Sequence, residues 1–525
     1  MKKILTLATI LITVVTISCK KNSPEPDQTQ TPTTTPPTVV PAAKPTAFDL
    51  MRDSIFLYAK EAYYWNDGLP DSATFKPRGF TGTNDLDALT KEVNAISQYK
   101  INPATGKPYE YYAPSPGEAK YSFIDGGETS SELGGAQSDF GFAPFYNATD
   151  DLRIKYVYAG SAAALAGIKR GYRVISVNGS TNISYDNGGT RTQFVVNAFF
   201  YSSSITLILE KPDLTRFTTT ITASPYTTNP VITYKVIDTG GGRKVGYFVF
   251  NSFTSPTNAS AKLDEAFNYF SSNGVTDLVV DLRYNGGGYV STAEYLSNLI
   301  VPAAKNNTVM YSTYFNDILT NGKAKILANQ VRRDPTTNQK YNYSQFDYSV
   351  AGNAVSFSKK GSLNSLNNVF FIVGSGTASA SELTINNLRP VVNVKLIGST
   401  TYGKPVGFFD IRINKYEMYI PEFETKNSVA QGGYYTGMEP ESVTYPGKKA
   451  TDDVTHDFGD PEENLLKQAL NYVKNGTFST PQQQVLSTSK LNTFSLEQSV
   501  SAAQALNGGG FSGMIYDKPL KLKQN

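Results

Sequence analysis

The chain has 525 residues, 40% hydrophobic and 18% charged, which supplies apolar material for two or three cored domains and argues against wholesale disorder. Its 48 Lys+Arg against 45 Asp+Glu leave a formal charge of +3, so no nucleic-acid partner is expected. One His and one Cys rule out an intrachain disulfide and leave almost no material for a Ser-His-Asp or thiol enzyme.

The chain opens with a basic Met1-Lys2-Lys3, an apolar or hydroxylic run from Ile4 to Ser18, and then Cys19. Fifteen helical residues span ~22 Å, short of the ~30 Å hydrocarbon core, so residues 1–18 read as a secretory signal and not as a membrane span. Cys19, directly after it, resembles the acylated cysteine of a bacterial lipoprotein signal, although Thr16 is looser than the usual residue at its position. The expected partner is then a membrane, reached through a lipid on Cys19. The expected location is the bacterial cell envelope, at the outer membrane, facing the periplasm or the surface. Residues 19–46 are rich in Pro and Thr and read as an extended tether. The 34 tyrosines and the Gly- and Asn-rich loops suit a protein outside the cytoplasm.

Residues 47–129 read as a small, mostly helical unit. Phe48, Met51, Ile55, Phe56, Ala59 and Ala62 recur at helical spacing, and Tyr63, Tyr64 and Trp65 read as core. No chemistry is assigned to this unit. From 130 to 225 the pattern changes to short strands and turns. Within 151–182 lie a strand, an Ala-rich helix after Gly160-Ser161, a turn at Gly171, the strand RVISV and a turn at Asn178-Gly179. This order resembles the core of a PDZ domain, and Asp139-Phe140-Gly141-Phe142 resembles its carboxylate-binding loop. The resemblance implies that Phe140, Gly141 and Phe142 bind a peptide C-terminus, which such domains add as a strand. The alternative is a PDZ-like fold acting only as a structural lid.

Residues 230–475 alternate strands and helices, which argues an α/β unit. Strand 244–253 precedes a helix over 258–272 with Leu263, Ala266, Phe267 and Phe270 on one face, and a helix over 460–474 closes the unit. Two buried strands each run into a small-residue turn and a helix, in VTDLVVDLRYNGGGYVSTAEYLSNLI (275–300) and NVFFIVGSGTASASELTINNLRP (368–390). Neither GxxxxGK[ST] nor GxGxxG is present, so a phosphate loop is not expected. No metal or cofactor is expected either. The tail, 476–525, reads as loop with one short helix.

A serine hydrolase on this chain must take its base from lysine. His456 sits in a polar acidic loop and reads as a surface residue, and Cys19 lies in the leader. Lysine is protonated near neutrality at its ordinary pKa of ~10.4, and burial that brings it to ~7–8 costs on the order of 4 kcal/mol. Lys404 is a fitting candidate, being flanked by Tyr402, Gly403, Pro405, Val406 and Gly407, with no carboxylate before Asp410. It is expected among apolar residues and not beside acids. Ser379 is expected at the start of a helix ending before Pro390, exposed above a sheet edge, with helix-start amides pointing outward.

DLRYNGGG, GTASASE and TYGKPVG, in that order, resemble the signature blocks of the C-terminal-processing (tail-specific) serine peptidases. The resemblance implies Ser379 as nucleophile, in preference to Ser375 or Ser381, and Lys404, 25 residues on, as base. It implies an oxyanion hole from the amide of Gly287 or Gly288 and that of Ala380. The implied core is spiral and crotonase- or ClpP-like. The implied architecture is multidomain α+β, with a small helical N-terminal unit, a PDZ-like β domain and this α/β catalytic core. The implied function is a serine endopeptidase with a Ser-Lys dyad, acting on unfolded or C-terminally exposed proteins and peptides. The chain departs from the family at Phe408, where many members have a glutamine that positions the lysine, and at Pro390, where some have an acid. Tyr402 and Pro405 loosen the lysine block. These departures keep open a degenerate envelope lipoprotein that binds peptide C-termini without cutting them. A serine-lysine hydrolase of another acyl bond ranks last.

Overall fold

The computed structural model describes residues 44–334, 337–479, 494–506, 513–517 and 519–523. The expected signal (1–18), Cys19 and all but the last residues of the tether lie outside the described residues. Among the described residues no helix is long and apolar enough to cross a membrane.

The chain first forms α1 (Ala47–Ala62) and α2 (Asp85–Ser97), then a short strand, β1 (Phe123–Asp125). Thr46 caps α1 by accepting the Asp49 amide, and Asn84 does the same for α2 through Asp87. A five-stranded antiparallel sheet follows, in sequential order: β2 (Phe142–Ala148), β3 (Asp151–Val157), β4 (Arg173–Val177), β5 (Ser204–Glu210) and β6 (Arg216–Thr222). Helix α3 (Thr190–Phe200) connects β4 to β5. Alternation along β5 sends Ile205, Leu207 and Leu209 into a separate core with Ile154, Val174, Val195 and Phe199. Strands β2 and β6 are the edges of this sheet.

The next sheet has six strands. β7 (Val231–Asp238) pairs antiparallel with β8 (Lys244–Phe250), and the rest are parallel, in the order β7-β8-β9-β12-β13-β16. The members are β9 (Asp277–Asp281), β12 (Val369–Val373), β13 (Val394–Gly398) and β16 (Gly447–Lys449). These strands read as near-continuous apolar runs because both faces are buried. Phe248, Phe250, Leu278, Val280 and Phe371 face α4 (Pro256–Ser272), α5 (Val290–Ile300) and α6 (Ala380–Leu388). On the other face, Val245, Tyr247, Val279, Phe370 and Ile372 meet Leu465, Leu466 and Ala469 of α7 (Asn464–Asn475). A smaller antiparallel sheet places β15 (Phe423–Asn427) between β11 (Val309–Phe315) and β14 (Val406–Gly407).

Helix α8 (Leu496–Ala505) is the short helix expected in the tail. The tail also holds a strand that the sequence reading missed, β17 (Gly513–Ile515), which pairs in parallel with β10 (Gly287–Tyr289). Met514 and Ile515 are buried.

Candidate active site

Three adjacent parallel strands end together. β9 pairs with β12 from Leu278↔Val369 onward, and β12 with β13 from Val369↔Val394 onward. The glycine turn after β9, the serine turn after β12 and the lysine block after β13 therefore emerge side by side at the carboxyl ends of the strands, where open α/β sheets place their ligands. Backbone and side-chain bonds lock the three together. Thr377 Oγ1 donates to the Leu282 carbonyl at 2.7 Å, and the Tyr402 amide donates to the Thr377 carbonyl at 2.9 Å. The Ala378 amide and Ser381 Oγ both donate to the Asn285 carbonyl.

Behind the glycine turn, Arg283 is buried among carboxylates. It bonds Asp281, Glu463 and Asp452, which ties the turn to α7. Asn285 Nδ2 donates to the Phe250 carbonyl, while its Oδ1 accepts the Gly287 amide at 2.8 Å. Gly287 and Gly288 have φ of 112° and 137°, conformations that favour glycine. A Cβ on Gly287 would stand 3.1 Å from both the Ala378 oxygen and the Ala380 nitrogen, so the glycine turn lies directly against the serine turn.

Ser379 is the N-cap of α6, with φ 56° and ψ −104°. A non-glycine residue held there costs on the order of 1–3 kcal/mol and persists only where its surroundings over-determine it. The surroundings here are Glu382. This fully buried carboxylate accepts four hydrogen bonds: Ser379 N and Lys404 N on Oε2, both at 2.8 Å, and Gly403 N and Thr401 Oγ1 on Oε1. The backbone nitrogens of Ser379 and Lys404 thus share one oxygen and lie at most twice 2.8 Å apart. Burial raises the Glu382 carboxyl, and its four donors oppose that rise.

Lys404 is fully buried. Its Nζ sits 3.9 Å from the Phe408 ring centroid and 5.4 Å from that of Tyr121, with a long 3.5 Å contact to the Tyr121 carbonyl. Burial holds the amine well below the ordinary lysine pKa. The expectation of an acid-free lysine needs correction, because Glu110, Glu382 and Glu422 all act on it in the opposite sense. Those acids are themselves buried. Glu422 is pushed well above the carboxylate range, and Glu110 is raised although four donors from Tyr63, Tyr121 and Ser122 hold it. Phe408 presents its ring to the amine.

The segment before β1 clasps the lysine block. Tyr121 Oη donates to the Gly403 carbonyl at 2.6 Å, Lys120 Nζ reaches the same carbonyl at 3.3 Å, and Tyr402 Oη donates to the Lys120 carbonyl. Sequence reading missed Glu382, Tyr121 and Glu110 as parts of the site. For Glu382 the Ser-x-x-Glu spacing of a helix start was a signal in view. For the other two no local signal existed.

A second correction concerns Ser379, which is not exposed above a sheet edge but fully buried, and its Oγ has no hydrogen-bond partner among the described residues. β17 and the serine turn flank the same glycine, with the Gly513 oxygen 2.2 Å from where a Cβ on Gly287 would stand. Ser375 lines a cavity in the serine turn, and Ser381 is spent on Asn285. His456 lies in a loop, its side chain 40% exposed and paired with Asp453. Phe140, just before β2, and Phe142, its first residue, are buried, and the Gly141 amide is already donated to Asp139 Oδ1 at 2.6 Å. Gly141 cannot carry a side chain, since its Cβ would stand 2.0 Å from that of Ser161.

A cavity of about 430 Å³ joins the two regions. Phe140, Phe142 and Phe199 line one side, and Gly286, Ser375 and Tyr402 the other.

The sequence profile of Peptidase family S41 matches residues 244–425. A carboxyl-terminal-processing protease of Picosynechococcus sp. is 25% identical over 278 residues, which is 53% of this chain and 55% of that protein. One from Synechocystis sp. is 24% identical over 281 residues, 53% of this chain and 54% of its own length. The chain therefore spans about half the length of these curated relatives. Among solved structures, a Bacteroides fragilis protein described as an S41 protease aligns with a TM-score of 0.52 at 21% identity, covering 83% of this chain and 100% of its own. That likeness speaks to the fold.

Proposed function

We propose that the chain, which matches Peptidase family S41 over residues 244–425, is a serine peptidase of the C-terminal-processing type that hydrolyses peptide bonds with Ser379 as nucleophile and Lys404 as base. The observation that carries the proposal is the single Glu382 oxygen shared by the backbone amides of both residues. In the reaction, neutral Lys404 Nζ takes the Ser379 Oγ proton as Oγ bonds the scissile carbonyl carbon. The resulting oxyanion is met by the amide of Ala380 and one from the glycine turn. The Gly287 amide is donated to Asn285 Oδ1 and Gly288 lies in the strand pairing with β17, so the glycine-turn donor is Gly287 or Gly288 once that pairing opens. The lysine proton then passes to the leaving amine, and water, deprotonated by Lys404, releases the acyl group.

The antiparallel sheet over β2–β6 is read as a PDZ-like module. Its edge strand β2, which begins at Phe142, the neighbouring Phe140, and the cavity leading to the serine turn support capture of a substrate by its C-terminal end. Substrates are then unfolded or C-terminally exposed proteins. A lipid anchor on Cys19 would hold the enzyme in the bacterial envelope, a reading supported by the leader sequence.

The unpartnered Ser379 Oγ favours a second reading, a protein that binds peptide C-termini without cutting them. Incubation of an unfolded protein with wild type and Ser379→Ala separates the two. Cleavage by wild type alone is the expected result. An inert wild type that still binds a peptide with a free carboxylate would replace the enzyme reading with the binding one.

A further inference from the structure

Residues 494–506 and 513–517 belong to the region with the weakest sequence pattern, yet they touch both halves of the site. At the first half, Phe494 packs edge-on to Tyr185 with centroids 5.5 Å apart. Phe494, Ala502 and Leu506 are buried in the core of the five-stranded sheet. Helix α8 lies along the edge strand β2, and its Leu496, Val500 and Ala503 line the same cavity as Phe140, Phe142 and Phe199. The groove read as the seat of a peptide end is thus covered by the chain's own helix.

At the second half, β17 adds a strand between the glycine turn and the lysine block. Gly513 N donates to the Gly286 carbonyl at 2.9 Å, and the pairing continues as Gly287↔Gly513, Gly288↔Met514 and Tyr289↔Ile515. On its other side the Phe408 amide donates to the Met514 carbonyl, and the Tyr516 amide to the Phe408 carbonyl, both at 2.9 Å. Tyr516 Oη meets Thr313 Oγ1 at 2.6 Å, and Ser291 Oγ donates to Asp517. Main-chain pairing of this kind recognises any extended peptide, whatever its side chains.

We propose that the cleft between Gly286–Tyr289 and Phe408 is a peptide main-chain site, and that α8 and β17 are resident ligands, an internal strap that competes with substrate. The inference rests on the reading of β2 as the seat of a peptide C-terminus, and polarity supplies its logic. A substrate whose C-terminus sits at β2 passes the serine turn with residues nearer its own N-terminus. Its chain direction is from serine turn to groove. The strap runs the other way, with α8 at the groove and β17, later in the chain, at the serine turn. It fills both places in the reverse chain order to a substrate, with β17 parallel to β10. β17 bonds Gly286 and Phe408, which border the buried nucleophile and base. A tethered competitor acts at an effective concentration of order mM, so a free peptide must displace it and its apparent affinity falls accordingly.

The test uses the full chain in the Ser379→Ala background and a fluorescein-labelled peptide ending in three valines with a free carboxylate. Replacing Leu496 and Val500 with Asp unseats α8 and touches no residue of the sheet. That variant is expected to bind the peptide at least ten-fold tighter than its parent. In the parent, saturating peptide is expected to speed amide exchange across 496–505. Equal affinity in the two forms, with unchanged exchange in α8, overturns the strap. A separate arm compares hydrolysis of an unfolded protein by wild type and by the double variant carrying Ser379. Faster hydrolysis without preference for the free carboxylate over its amide keeps the strap and rejects C-terminal capture. Hydrolysis no faster than wild type, with carboxylate binding intact, rejects the strap and keeps the capture.

Discussion

Lys404→Met is expected to lower peptide hydrolysis about 10²- to 10⁴-fold, the usual contribution of a positioned base, while raising the melting temperature. Both effects have one origin. The wild-type amine is buried against the Phe408 and Tyr121 rings, and burial holds its pKa well below the ordinary value. Between that lowered value and ~10.4, the unfolded chain binds a proton at this lysine that the folded chain does not. Wild-type stability therefore rises with pH across the window, and the group's cost is largest at its acid end. Methionine has similar length and no charge to desolvate. Thermal unfolding at pH 7 and near pH ~10.4 checks the sign, because the advantage of Lys404→Met should fade toward the alkaline end. The wild-type rate should climb with pH through the folded value of Lys404, as neutral amine becomes available.

The second large effect is expected at Glu382. All four of its bonds are donated to it, two on each oxygen, from Ser379, Lys404, Gly403 and Thr401. In Glu382→Gln one end becomes an NH₂ donor facing donors. The Thr401 hydroxyl can turn to accept, but a backbone N–H cannot. At least one buried N–H then loses its acceptor, at about 1–3 kcal/mol each. The expected result is a loss of about 2–4 kcal/mol in denaturant unfolding together with a fall in kcat at little changed KM. Glu382→Ala strands three backbone amides and is expected to cost more than Glu382→Gln. A Glu382→Gln protein with wild-type kcat would show that the carboxylate only supports the fold.

The glycine string at 286–288, the small-residue turn before Ser379 and the spacing to Lys404 were legible because close approach of backbones demands small residues, and these stand next to each other in the chain. The parallel strands beneath them were legible for a similar reason, as apolar runs bounded by turns. Glu382 was visible as a letter of its block, but its four donors come from a turn and from a block some twenty residues away, and local pattern carries no such pairing. The acids around Lys404 come from even further, with Glu110 placed by a segment that only the fold brings to the lysine. Ser379 was expected in the open because a strand–turn–helix nucleophile stands above its sheet. That expectation left out β17, a strand of three residues in a polar tail whose pairing partner lies more than two hundred residues earlier.

The central claim is that Ser379 is a nucleophile made reactive by Lys404, and covalent labelling reads this without knowledge of the substrate. The full chain would be treated with a small fluorophosphonate and the adduct located by peptide mass spectrometry. One adduct, on Ser379, that forms faster as pH rises through the lowered folded value of Lys404 and is lost in Lys404→Met is the predicted result. Labelling at another serine, or equal labelling of Ser379 in Lys404→Met, would contradict the dyad.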